Sequence, residues 1–231
     1  MPVTRSAERA ASATALMLAL TFSTGVVDAV GYLGLDRVFT GNMTGNVVIL
    51  AMALTGADGL PVLGPVLALL GFAAGAAVGG RVLRGAGAGW SAATTQILIG
   101  VGICLAAVTV ALGLPGLDEP RRLVVTTLLG AAMGAQAAAA RHLGVKDVTT
   151  VVVTSTITAL AADSVFGSGT GSHWRRRGTA VALIMLGALA GALLLRLHLA
   201  AGPALAALVT FVVTWSGHRG RVRPPEPVRT A

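Results

Sequence analysis

Residues 25–51 read GVVDAVGYLGLDRVFTGNMTGNVVILA. An apolar run carries one carboxylate, Asp28, and stops at Asp36-Arg37. It restarts at Met43 behind a stretch rich in Gly, Asn and Thr. A helix that crosses a bilayer needs about 20 predominantly apolar residues. The run before the break reaches that length, spanning 14–35, and the run after it, 43–56, does not. A full span followed by a short, re-entrant or broken helix is therefore the first structural expectation.

The rest of the chain has the same character. Of 231 residues, 55% are hydrophobic and 11% charged, and the mean hydropathy is +0.81. Soluble domains carry about 25% charged residues, because their surfaces must be solvated. Further apolar segments lie at 60–82, 92–114, 123–140, 148–162, 178–199 and 203–215. Helix is the only credible state, since lipid leaves no water for unpaired backbone groups. The period-two alternation of a membrane barrel is missing. The fold class is thus all-α: a polytopic transmembrane helix bundle forming a single domain over 1–231.

Charge placement sets the topology. The net charge of +8 does not mark a nucleic-acid partner, because the arginines lie between apolar blocks and at the C-terminus rather than on a basic face interleaved with aromatics. Eight spans with a cytoplasmic N-terminus would put 11 of the 17 basic residues inside. If 43–56 and 148–162 re-enter, six spans remain and 13 of 17 are inside. The positive-inside rule favours six; eight is the alternative. Both arrangements leave both termini of this multi-pass protein in the cytoplasm. The arginine- and proline-containing tail, 217–231, is expected to be disordered. The N-terminus, with Arg5 and Arg9 before an apolar run, resembles a signal peptide, but the run continues to Leu35 and reads better as a span.

Residues 134–161, GAQAAAARHLGVKDVTTVVVTSTITALA, parallel the opening stretch. A polar residue follows a glycine in each, Asp28 or Gln136. A basic-acidic break comes next, then a Thr-rich restart, Thr44-Gly45-Asn46 or Thr154-Ser155-Thr156. Glycine and threonine are 19 residues apart in one and 20 in the other. The following helix repeats as well, Gly71 and Gly75 against Gly187 and Gly191. The halves are expected at about 12–114 and 121–216. Transporters often carry such repeats, with a central site on broken helices. Three spans per half make the repeat inverted; four make it parallel.

The run GVVDAVGYL at 25–33, with Phe39 and the MTGN of 43–46, resembles the YoaK-like family of bacterial membrane proteins, a domain of unknown function of about this length. The resemblance extends over nearly the whole chain. Gly134-Ala135-Gln136 followed by Arg141 is similar to that family's second signature, with Ala137 where the family usually has Asn. The resemblance implies an architecture and no activity.

Candidate chemistry is concentrated around the break. A carboxylate inside a membrane helix costs about 2.5–3.5 kcal/mol on insertion scales, so such residues usually serve a cation, proton or solute. Asn42, Thr44 and Asn46 supply donors and acceptors at the start of a half-helix. That start would attract an anion, take a cation with help from Asp28, or simply be N-capped by Asn or Thr. Thr154 and Thr156 are the weaker counterparts. Gly71, Gly75, Gly187 and Gly191 suit close helix packing. Cys104 is a small apolar packing residue; it has no cysteine partner and no metal-ligand spacing. No enzyme signature is present, so no catalytic residue, metal or cofactor is expected.

The expected function is a secondary-type transporter or permease for a small polar solute or ion. Asp28, Asn42, Thr44, Asn46, Gln136, Thr154 and Thr156 would line the site, with Asp28 titrating in proton coupling. The alternative is a non-transporting assembly, sensor or regulatory protein in which these residues only lock helices together. The lipid bilayer is the partner on either reading, and assembly as a homo-oligomer is left open.

Overall fold

A computed structural model describes residues 2–57, 59–144, 153–164, 167–169 and 174–221. The Lys146-Asp147 break, the start of the segment expected at 148–162, and the tail beyond 221 lie outside these residues. Every element within them is helical. In chain order these are α1 (Pro2–Val30) with a π-helical end (Gly31–Asp36), α2 (Met43–Leu54), α3 (Leu63–Val82), α4 (Ala92–Gly113), α5 (Glu119–Leu143), α6 (Val153–Ala162), α7 (Trp174–Leu195) and α8 (Ala201–Arg221). Five stretches are long and apolar enough to cross a membrane: Ala13–Asp36, Leu63–Val82, Ala92–Gly113, Glu119–Leu143 and Trp174–Leu195. α8 has 21 residues but carries His218 and Arg219 near its end. That helix runs to 221, past the start of the tail expected at 217. α2, with 12 residues, is too short to cross at a rise of about 1.5 Å per residue; α6 has 10 described residues.

Side-chain and backbone approaches give the direction of each long helix. Gly187 lies against Phe22 and Gly191 against Val26, so α1 and α7 run parallel. Gly71 lies against Thr127, Gly75 against Ala131 and Gly79 against Ala138, so α3 and α5 run parallel. α8 runs opposite to α1, with the Ser23 hydroxyl donating to the Ala206 carbonyl and Gly202 beside Val30. α8 also runs opposite to α4, where Phe211 meets Gly102 and Trp90 meets Gly217. The Cys104–Leu128 and His142–Gly87 contacts set α4 and α5 antiparallel. The direction therefore reverses at every step through α1, α3, α4, α5, α7 and α8. Arg81, Arg84, Arg141, Arg175, Arg176, Arg177 and Arg219 fall at one end of the bundle; Arg37, Arg121, Arg122 and Arg196 fall at the other.

The two parallel contacts are built alike. Adding a Cβ to Gly75 would strike the Ala131 backbone, and adding one to Gly187 would strike that of Phe22. Gly79 faces Ala135 and the Ala138 methyl, as Gly191 faces Val26 and the Ala29 methyl. Gly134 presses on Phe72 and Ala76, as Gly25 presses on Ile184 and Ala188. Backbones that touch in this way leave no room for a side chain, which is how small residues bring membrane helices together. Gly71, Gly75, Gly187 and Gly191 all stand in these contacts. The sequence parallel aligned Gly71 with Gly187; in space Gly75 occupies the matching place, one helical turn later. Leucine- and alanine-rich helices offer several near-equal registers, and only contact distinguishes them.

Candidate functional site

The α1–α2 connection creates the polar centre. α1 widens into its π-helical end at Gly31 and is capped by Arg37, whose φ of 51° is left-handed. A non-glycine residue there costs about 1–2 kcal/mol, so surrounding contacts must hold the turn. Two are visible: the Val38 N–H donates to the Gly31 carbonyl at 3.4 Å, and the rings of Tyr32 and Phe39 stack at 4.9 Å. The chain then doubles back along α1 until Thr40 and Gly41 reach the level of Asp28. α2 starts two residues later, inside the bundle, and α3 starts beside Asp36 and Val38, where Gly64 packs on both. α2 is thus re-entrant: it begins at depth and returns to the end of the bundle where α1 finishes, beside Asp36 and Val38.

Asp28 holds that start in place. Its Oδ1 accepts from the Thr40 N–H at 2.8 Å, the Gly41 N–H at 2.6 Å and the Thr40 hydroxyl at 3.2 Å. The Asn42 N–H also faces the carboxylate. Successive backbone N–H groups form a concave anion site, and the positive end of a helix favours negative charge. The anion in this nest is the chain's own carboxylate. The sequence alone allowed an external anion at the α2 start; the geometry supplies an internal one.

The asparagines have separate tasks. Asn42 is the N-cap of α2 and accepts from the Gly45 N–H at 3.3 Å. Asn46, fully buried, clamps Phe39 from both sides: its Oδ1 accepts from the Phe39 N–H at 2.9 Å and its Nδ2 donates to the Phe39 carbonyl at 2.6 Å. The two side chains do not share a face, because Asn42 lies outside the helix. Thr44 is exposed on α2. Thr154 is exposed on α6, and Thr156 is buried there. Neither residue of α6 has a described contact with Asp28.

Gln136 does join the centre, through a residue the sequence reading missed. Its Nε2 donates to the Thr24 hydroxyl at 3.0 Å, and that hydroxyl donates to the Leu20 carbonyl at 3.0 Å. Thr24 lies one turn before Asp28, on the same face of α1. A Cβ on Gly41 would sit 2.8 Å from the Thr24 methyl and 3.5 and 3.6 Å from the two Asp28 oxygens. Thr24, Asp28, Gly41 and Gln136 therefore form one cluster where α1 crosses α5. Gln136 is 1% exposed, and its Oε1 has no hydrogen-bond partner. The missed signal was spacing: Thr24 and Asp28 are four apart.

Among the described residues no group of His, Cys, Asp and Glu could hold a metal ion. A groove of about 490 Å³ between α3, α4 and α5 includes Gly75, Gly79, Gln96 and Cys104. It is overwhelmingly apolar and includes none of the cluster residues.

Residues 16–216 match the family described as "Protein of unknown function (DUF1275)". The chain is 32% identical over 155 residues to the UPF0700 transmembrane protein YoaK of Bacillus subtilis (strain 168), covering 67% of this chain and 68% of that one. No solved structure matches.

Proposed function

This chain belongs to the DUF1275 family of membrane proteins, and we propose that it is a secondary-type carrier for a small polar solute, built from two inverted halves. The observation that carries this reading is the buried polar cluster at the α1–α5 crossing, set against the start of a re-entrant half-helix. Carriers built from inverted repeats place their sites on discontinuous helices near the midplane.

The matched glycine contacts support the inversion. A shift of 109 residues takes Phe22, Gly25, Val26 and Ala29 of α1 onto Ala131, Gly134, Ala135 and Ala138 of α5. A shift of 112 takes Phe72, Gly75, Ala76 and Gly79 of α3 onto Ile184, Gly187, Ala188 and Gly191 of α7. Under these shifts the α1–α7 contact maps onto the α5–α3 contact. α1 and α5 point in opposite directions, so the relating two-fold axis lies in the membrane plane, beside the Thr24–Gln136 bond. The basic end of the bundle then faces the cytoplasm of a bacterial inner membrane, with both termini on that side.

One observation favours the non-transporting reading: the described hydrogen bonds of Asn42, Asn46 and Asp28 all stay within residues 28–46 of this chain, on backbone groups, Thr40 or the Met43 sulfur. The two readings separate experimentally. The purified chain is screened by thermal shift against amines, amino acids, sugars and organic acids, and hits are assayed for uptake into proteoliposomes. A carrier gives a saturable hit whose uptake is lost in Asp28→Asn. A protein that no solute stabilises, and that moves none of them, is not a carrier.

A further inference from the structure

The polar cluster has a one-sided hydrogen-bonding inventory, and this restricts what it can hold. The N–H groups of Thr40 and Gly41, at the start of α2, already donate to Asp28. The Thr24 hydroxyl and one of the two Gln136 Nε2–H groups already donate as well, leaving the second Gln136 N–H as the one side-chain donor to spare. Acceptors remain. Gln136 Oε1 is buried with no donor. Asp28 Oδ1 takes the Thr40 N–H, the Gly41 N–H and the Thr40 hydroxyl; the Asn42 N–H that also faces the carboxylate meets at most one of the two lone pairs of Oδ2, so Oδ2 retains one position. A buried acceptor without a donor is costly, and a ligand that donates removes that cost.

The charge is one-sided too. α1 from Ala13 to Val30, α2, α5 from Leu123 to Ala140, and α7 from Gly178 to Leu195 contain no Lys, Arg or His. The only charged side chain in those stretches is Asp28. The α2 dipole contributes about half a positive charge at its N-terminus, against a full negative charge on the carboxylate in its ionised form. The cluster is left net negative.

We propose that the Gln136–Thr24–Asp28 cluster binds a small cation bearing N–H donors, an ammonium or a primary amine. One tetrahedral ammonium nitrogen donating to two acceptors at about 2.9 Å each holds them about 5 Å apart. Side chains one helical turn apart are separated by about 5–6 Å, so a ligand on Gln136 beside Thr24 reaches Asp28. Anions are excluded by charge, and quaternary ammonium by its lack of donors.

This substrate class rests on the carrier site proposed above, and the experiment tests the two separately. The full chain in detergent is melted at constant ionic strength in methylammonium chloride, tetramethylammonium chloride, sodium chloride or sodium nitrate. Methylammonium is expected to stabilise saturably, and the other three salts are not. Gln136→Leu and Gln136→Met, which keep the bulk of the side chain, should each weaken apparent methylammonium affinity by about tenfold or more. Equal stabilisation by tetramethylammonium, saturable stabilisation by nitrate, or an unchanged methylammonium response in a folded Gln136 variant overturns the proposal. Methylammonium binding without vesicle flux refutes the carrier and leaves the site standing. Flux of an anionic or donor-free solute refutes the substrate class and leaves the carrier standing.

Discussion

Replacing Asp28 by alanine and by asparagine separates what its shape does from what its charge does. Either change removes the carboxylate and with it the cost of about 2.5–3.5 kcal/mol for a charge at membrane depth. That term cancels when the two variants are compared with each other. Asparagine keeps an oxygen where Oδ1 receives the Thr40 and Gly41 N–H groups; alanine leaves both without an acceptor. An unmade bond to a buried donor costs about 1–3 kcal/mol. Asp28→Ala should therefore be less stable than Asp28→Asn by about 2–4 kcal/mol, after allowing for partial access of lipid headgroups or water. For a chain of this size each kcal/mol moves the midpoint by about 2–4 °C, so a gap of about 4–16 °C is expected in detergent melts followed by the fluorescence of Trp90, Trp174 and Trp215. Hydrogen exchange should localise the loss, with the Thr40 and Gly41 amides unprotected in the alanine variant and protected in the asparagine variant. Equal midpoints and equal protection would refute the idea that this side chain fastens the start of α2.

Three further outcomes are expected. Asn46→Ala frees both the N–H and the carbonyl of Phe39 and should cost about 2–3 kcal/mol, read as a lower melting point and faster proteolysis between residues 36 and 46. Gly75→Leu and Gly187→Leu, which thrust side chains into backbone, should both prevent recovery of folded protein by size-exclusion chromatography. Gly100→Leu, with open space around it, should change stability by less than about 0.5 kcal/mol. In a Cys104→Ala background, single cysteines at Gly59 and Gly116 should react with an impermeant maleimide from outside intact cells, and cysteines at Gly85 and Gly87 only after lysis; the opposite pattern reverses the topology.

The helical bundle, the lengths of its segments and the break at 36–43 were legible because lipid imposes length and polarity limits that any sequence displays. The place of Asp28 at the polar centre was legible for the same reason, since a carboxylate in an apolar helix stands out. Its partner was not: the backbone N–H groups of Thr40 and Gly41 are invisible in a sequence, where every residue has them. Thr24 was hidden by its ordinariness, one hydroxyl in the run Thr21-Phe22-Ser23-Thr24. Gln136 was visible, but its connection to α1 spans 112 residues and only the packing of α5 across α1 reveals it. Of the Thr-rich counterpart in the second half, only Thr156 is buried, and nothing in composition distinguishes it from Thr154.

The pairing of α1 with α7 and of α3 with α5 has a consequence for biosynthesis. As the ribosome delivers the chain, the first glycine-notched helix enters the membrane long before its mate has been made, and the third must wait for the fifth. Neither half can complete its own interior, so a gene cut within residues 114–118 should yield two fragments that survive only when made together in the same cell.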